Sequence, residues 1–127
     1  MSIQRLPDAE LVIMKIIWKL DGEVTSAQII EALDGEKDWA IPTVLNFLSR
    51  LTNRGFLAVR RSGKKNIYAP LIDENAYVES ESKSFLQRLH GNSLTSLVAS
   101  LVNGNAISEE DFKKLERYIE EKAGDLK

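Results

Sequence analysis

Apolar residues recur with a helical period from Leu11 to Leu51, alternate briefly, and then return to the helical period. Leu11, Met14, Ile17 and Trp18 share one face of a first helix, which Pro7 or Asp8 opens. Val12, Ile13 and Ile16 widen that face until the helix must be covered from more than one side. Asp21-Gly22 stops it, and Glu23-Val24 suits one short strand. Thr25, with Gln28 three residues on, forms a capping box. It opens a second helix whose Ile29, Ile30 and Leu33 face inward and which stops at Asp34-Gly35. A polar loop, Glu36-Lys37-Asp38, leads to Trp39. The spacing of Val44, Phe47, Leu48 and Leu51 predicts a third helix from about Pro42 to Asn53, ended by Gly55.

Phe56 to Arg61 then reads as a strand, Ser62-Gly63-Lys64-Lys65 as a turn, and Asn66 to Leu71 as the returning strand. Pro70 implies that the end of this second strand lies at a sheet edge. After Leu71 every segment is helical. Asn75 to His90 carries Tyr77, Val78, Phe85, Leu86 and Leu89. A short helix after Asn92-Ser93 carries Leu94, Leu97, Val98, Leu101 and Val102. A last helix, capped by Ser108 and opened by acids that suit its dipole, carries Phe112, Leu115, Tyr118 and Ile119.

Three short helices and a hairpin, followed by helices only, define the expected fold class. It is mainly α with a small β-hairpin: a winged helix-turn-helix over residues 1–72 and a helical dimerisation arm over residues 73–127. The arm follows from size, since a winged unit of about seventy residues has a marginal core. Its short apolar stripes fit packing against a second copy, with folding back onto the winged unit as the alternative. The dimerisation candidates are Phe85, Leu89, Leu94, Leu97, Val98, Leu101, Phe112, Leu115 and Ile119.

Charge changes the picture. The net charge of -2 argues against a nucleic-acid binder, but its distribution reverses that reading. Arg50, Arg54, Arg60, Arg61, Lys64 and Lys65 fall in a run from Arg50 to Lys65 that contains no acid. A local basic patch, not net charge, is the electrostatic footprint of a DNA binder. The third helix has a polar front of Thr43, Leu45, Asn46, Ser49, Arg50 and Asn53. Asn46 suits adenine, Arg50 guanine or phosphate, and Thr43 a thymine methyl or phosphate. Arg50 could instead pair with an acid of the first helix. Arg54, Arg60 and Arg61 extend the charge, and Lys64 and Lys65 at the hairpin tip suit the DNA backbone. The N–H groups near Thr25 and Ser26 suit a phosphate.

Other chemistry finds little support. The chain has no cysteine, so disulfides, thiolate metal sites and cysteine nucleophiles are excluded. Its single histidine, His90, reads as a helix-end residue. No Ser–His–acid set or phosphate-binding loop can be assembled, so neither an enzyme nor a bound cofactor is expected. Trp18 and Trp39 are expected in the core. No signal peptide and no membrane-spanning stretch are visible, which points to the cytoplasm without membrane insertion. The rival reading is a winged helix used for protein interaction, to which an exposed Leu45 lends some support.

The residues also carry a resemblance. Ala9-Glu10, Ile13-Met14-Lys15 and Trp18 begin it, followed by Val24-Thr25, Ile29, Asp38-Trp39-Ala40 and Thr43-Val44. Leu48, Arg50-Leu51, Arg54-Gly55, Gly63, Tyr68, Tyr77 and Gly91-Asn92-Ser93-Leu94 through Leu97-Val98 complete it. On these the chain resembles the penicillinase repressor family, the BlaI/MecI group of winged-helix repressors, which also includes a copper-responsive CopY type. The resemblance implies a homodimer on an inverted-repeat operator with TACA/TGTA-type half-sites. It implies control of β-lactam resistance genes, and release by proteolysis of the arm under a membrane-bound β-lactam sensor. A different regulon within the family is the alternative. It places Thr43, Asn46 and Arg50 on DNA and Lys64 and Lys65 on the wing. Three positions depart from the family pattern. Asn46 stands where Thr is frequent, Ile41-Pro42 opens the third helix, and Ser100-Leu101 replaces the Asn-Phe pair at the cleavage position. The cysteine pairs of the copper branch are absent.

Overall fold

A computed structural model describes residues 3–125; the outermost residues of the two expected domains, 1–2 and 126–127, lie outside the described residues. The element order is α1 (Asp8–Leu20), β1 (Val24–Thr25), α2 (Ser26–Leu33), α3 (Ile41–Asn53), β2 (Leu57–Ser62), β3 (Lys65–Pro70), α4 (Glu74–His90), α5 (Leu94–Asn103) and α6 (Glu109–Asp125). They form two compact units, one running to Glu81 and one from Ser82 onward.

In the first unit, Ile13, Met14 and Ile17 of α1 are fully buried among Ile29 and Leu33 of α2 and Val44, Leu48 and Leu51 of α3. The helical spacing of these residues is what lets three short helices share one core. The capping box forms as expected: Thr25 Oγ1 accepts from Gln28 N–H at 3.2 Å, and Gln28 Oε1 accepts from Thr25 N–H at 2.8 Å. Helix α3 ends in a Schellman arrangement, with Phe56 N–H donating to Leu51 O and Gly55 N–H to Thr52 O. Gly55 takes φ +84°, which a side chain would resist, and this turn drops Phe56 into the core.

The sheet has the order β1-β3-β2, antiparallel throughout. Strand β3 is therefore central, yet its end at Pro70 has β2 alone beside it, the edge position that the proline implies. Pro70 is tolerated because β1 pairs only at Val24↔Tyr68 and Thr25↔Ile67 and stops short of it. The bond from Leu71 N–H to Phe56 O fixes the phase of the ladder, so an N–H at position 70 would point away from β2. The hairpin closes at Ser62↔Lys65 with Gly63 at φ +63°, the pattern of a two-residue turn led by glycine.

Both tryptophans lie half-buried at the rim of the core rather than inside it. An indole N–H needs an acceptor, and that of Trp18 finds Ile72 O at 2.9 Å. Trp39 packs edge-on against Phe47, centroids 5.1 Å apart. Tyr77, at the start of α4, is buried against Phe56 and Trp18, and its hydroxyl accepts from Leu6 N–H at 3.0 Å.

The second unit holds the rest of α4 with α5 and α6. Ser93 caps α5, accepting from Ser96 N–H at 3.0 Å. Ser108 accepts from Asp111 N–H at 3.1 Å before α6. His90 ends α4, its Nδ1 2.9 Å from Ser96 Oγ. No side chain of α5 or α6 is buried. Among the described residues, no helix is long and apolar enough to cross a membrane.

Candidate nucleic-acid interface

Helix α3 turns Val44, Leu48 and Leu51 into the core, which leaves Pro42, Asn46, Ser49, Arg50 and Asn53 exposed on the opposite face. Thr43 is half-buried beside that face. Strand β2 is buried only at Leu57, so the hairpin beyond it projects with Arg60, Arg61, Lys64 and Lys65 exposed. The acid-free run extends beyond Arg50–Lys65 on both sides, since no Asp or Glu stands between Asp38 and Asp73. All of α3, β2 and β3 falls within it.

The cations divide into two sets. Among the described residues, Arg50, Arg61, Lys64 and Lys65 carry no ion pair, so their charge is available to a polyanion. Arg54 and Arg60 are engaged. The guanidinium of Arg54 binds the carboxylate of Glu10, which is 1% exposed. An acid of the first helix thus pairs with Arg54 and not with Arg50. Glu10 lies in helical phase with Ile13, Met14 and Ile17, and a carboxylate on a buried stripe needs a cation; that was the signal in the sequence. Arg60 Nε donates to Glu23 Oε2 at 2.7 Å on the open surface. This hydrogen bond, and then the charge of Arg60, holds the Glu23 carboxyl below its ordinary range and raises the Arg60 guanidinium. The partner of Arg60 lies thirty-seven residues away in sequence and follows no local spacing.

At the start of α2 the Thr25 hydroxyl is occupied by its cap, and Ser26 sits in the first turn, where helix N–H groups lack helical acceptors. Pro42, at the start of α3, contributes no N–H.

The dimerisation candidates fall on the second unit. Phe85, Leu89, Leu94, Leu101, Phe112 and Ile119 are exposed, while Leu97, Val98 and Leu115 are half-buried. Leu94, Val98, Val102, Phe112, Leu115 and Ile119 line an apolar groove of about 540 Å³ between α5 and α6. Ser100 and Leu101 are both exposed but lie inside α5.

This geometry matches known proteins. The family model for the penicillinase repressor covers residues 6–121. The penicillinase repressor of Bacillus licheniformis is 34% identical over 120 residues, spanning 94% of this chain and 93% of that protein. The methicillin resistance regulatory protein MecI of Staphylococcus aureus (strain N315) is 26% identical over 117 residues, spanning 92% and 94%. Among solved structures, the DNA-binding domain of the repressor BlaI aligns with a TM-score of 0.53 at 34% identity, over 60% of this chain and 92% of that one. The monomeric form of Bacillus licheniformis BlaI, solved in complex with the blaP half-operator, aligns with a TM-score of 0.51 over the same shares. The chain belongs to the penicillinase repressor family, whose members are winged-helix transcriptional repressors and not enzymes.

Proposed function

We propose that this chain is a cytoplasmic, dimeric repressor of β-lactam resistance genes that binds an inverted-repeat operator. In this reading residues 1–72 hold DNA and residues 73–127 hold the second copy. Helix α3 lies in the major groove with Thr43, Asn46 and Arg50 toward the bases. Arg61, Lys64 and Lys65 hold the backbone, and the start of α2 takes a phosphate. The observation that carries this reading is the acid-free run from Trp39 to Ile72, folded into one helix and one hairpin with unpaired cations on both. The half-operator complex of the Bacillus licheniformis relative supports it.

Dimerisation is supported by the apolar groove of α5 and α6, which no described residue of its own unit fills. Two half-sites held by a tether bind far more tightly than either alone. Cutting the arm, under a membrane-bound β-lactam sensor, would then release the operator without altering a DNA contact. The bond between Ser100 and Leu101 lies within helix, so cleavage there would need α5 to open locally.

The test is fluorescence anisotropy of the full chain on a TACA/TGTA inverted-repeat duplex and on a scrambled one, across a salt series. Tight binding to the repeat alone, weakening steeply with salt, is the expected result. Weak and equal binding to both, with no preferred sequence recovered from a random pool, would overturn it.

A further inference from the structure

Helix α3 carries two large apolar side chains that its own fold leaves uncovered. Ile41 is 56% exposed and Leu45, one turn later, is 41% exposed. A helix stabilised by burial gains nothing from apolar residues there. Leu45 stands at the rim of a groove of about 410 Å³ between α3 and the hairpin, which Ser49, Asn53, Val59 and Asn66 also line. Val59, on the hairpin side of that groove, is 45% exposed. The apolar rim lies within the acid-free run.

Helical geometry sets Leu45 and Arg50 about 140° apart around α3, with Asn46, Ser49 and Asn53 on the exposed arc between them. The exposed arc therefore has an apolar margin, an amide-and-hydroxyl centre and a cationic margin. The major groove offers one apolar feature to a helix, the C5-methyl of thymine. A protein partner would also suit apolar residues, but one that covered this face would have to accommodate Arg50, Arg61, Lys64 and Lys65, which form no ion pair among the described residues.

We propose that Leu45, flanked by Ile41, is a specificity-determining residue that packs on thymine methyl groups, so the preferred half-site carries thymine beside the base read by Asn46. This rests on the DNA-binding reading above. Nothing in the family resemblance or in the expected roles of Thr43, Asn46 and Arg50 assigns a contact to Leu45.

The experiment uses the full chain and the tightest duplex it selects from a random pool. Each thymine of the half-site is replaced in turn by deoxyuridine, which removes one methyl and no hydrogen-bonding group. For the unaltered chain, one or two positions should lose affinity about fourfold each, the equivalent of one buried carbon. Leu45→Ala should bind the thymine duplex more weakly and should show no loss at those positions. A variant that merely perturbed the helix would weaken both duplexes and keep the ratio between them, so the ratio separates contact from folding. If the unaltered chain were indifferent to every methyl, or if Leu45→Ala kept the full sensitivity, the inference would be wrong while the repressor reading stood. If the chain selected no sequence at all, the repressor reading would fall first.

Discussion

The two units have apolar stripes of similar spacing and use them differently. Every buried apolar side chain among the described residues belongs to the first unit. There α1, α2, α3 and the sheet close around Ile13, Ile17, Leu48 and Phe56. In the second unit α5 and α6 bury nothing, and Leu94, Phe112 and Ile119 stay exposed along an open groove. A stripe that is amphipathic in sequence is therefore no measure of a private core. What separates the two is layering: the first unit packs α1 and α2 against α3 with a sheet beside it, while the second has only the end of α4, α5 and α6 to offer one another.

The largest effects should test that contrast directly. Leu48→Ala removes a fully buried side chain and is expected to cost about 2–5 kcal/mol, read from the urea midpoint. Leu115→Ala removes the same atoms from the second unit. It should lower stability far less in dilute protein, and should appear instead as weaker self-association by sedimentation. A loss as large as that of Leu48→Ala, and independent of protein concentration, would mean that the second unit has a core of its own.

Next comes the buried pair. Arg54→Met leaves the Glu10 carboxylate buried without its cation, at an expected cost of up to about 3–5 kcal/mol. Glu10→Gln should cost less, because the Arg54 side chain is 31% exposed and water can reach it. Equal losses in urea melts would show that packing, not charge, gives the pair its worth.

The proposed DNA face should respond in binding and not in folding. Arg50→Ala is expected to cost about 1–3 kcal/mol of operator affinity, with sequence preference lost if Arg50 reads a base. Lys64→Ala and Lys65→Ala should each lower the salt slope by about one and weaken all duplexes alike. A change in melting temperature matching the change in affinity would make Arg50 a structural residue.

These contrasts also explain what could be read from sequence. Helix periods located α1, α2 and α3, and the Thr25–Gln28 box fixed the start of α2, because such signals act over three or four residues. Pairings across the fold were not legible in the same way. The central place of β3 depends on β1, two residues long, reaching across from before α2. The partner of Arg60 sits on the far side of the sheet order, at Glu23. Size alone suggests a core place for the tryptophans, but the need of the Trp18 indole for the Ile72 carbonyl holds it at the rim. In the candidate site, the exposed face of α3 followed from its buried one. Which cations were free did not, since Arg50 and Arg54 are one turn apart and only the packing of α3 against α1 decides which meets Glu10.

The smallest predicted effect concerns a cation held in reserve. The lowered Glu23 carboxyl means that the Glu23–Arg60 pair is fully present above the ordinary carboxylate range and is lost only as pH falls through the lowered value. Across neutral pH, then, Glu23 keeps its charge beside Arg60 and offsets part of that cation's pull on a phosphate. Glu23→Gln removes the charge but keeps an oxygen for the Arg60 N–H, so the hairpin should fold as before. Freed of its counter-charge, Arg60 should add about one phosphate contact, steepening the salt slope by about 0.9 and strengthening binding to operator and scrambled duplex alike. Sequence preference should not change, because phosphate contacts position the protein without reading bases. The matching change in the second unit, Lys113→Gln, breaks a surface pair with Glu109 and should leave the salt slope where it was. If Glu23→Gln were equally silent, Arg60 would face away from the duplex, and the basic surface would narrow to Arg50, Arg61 and the hairpin tip.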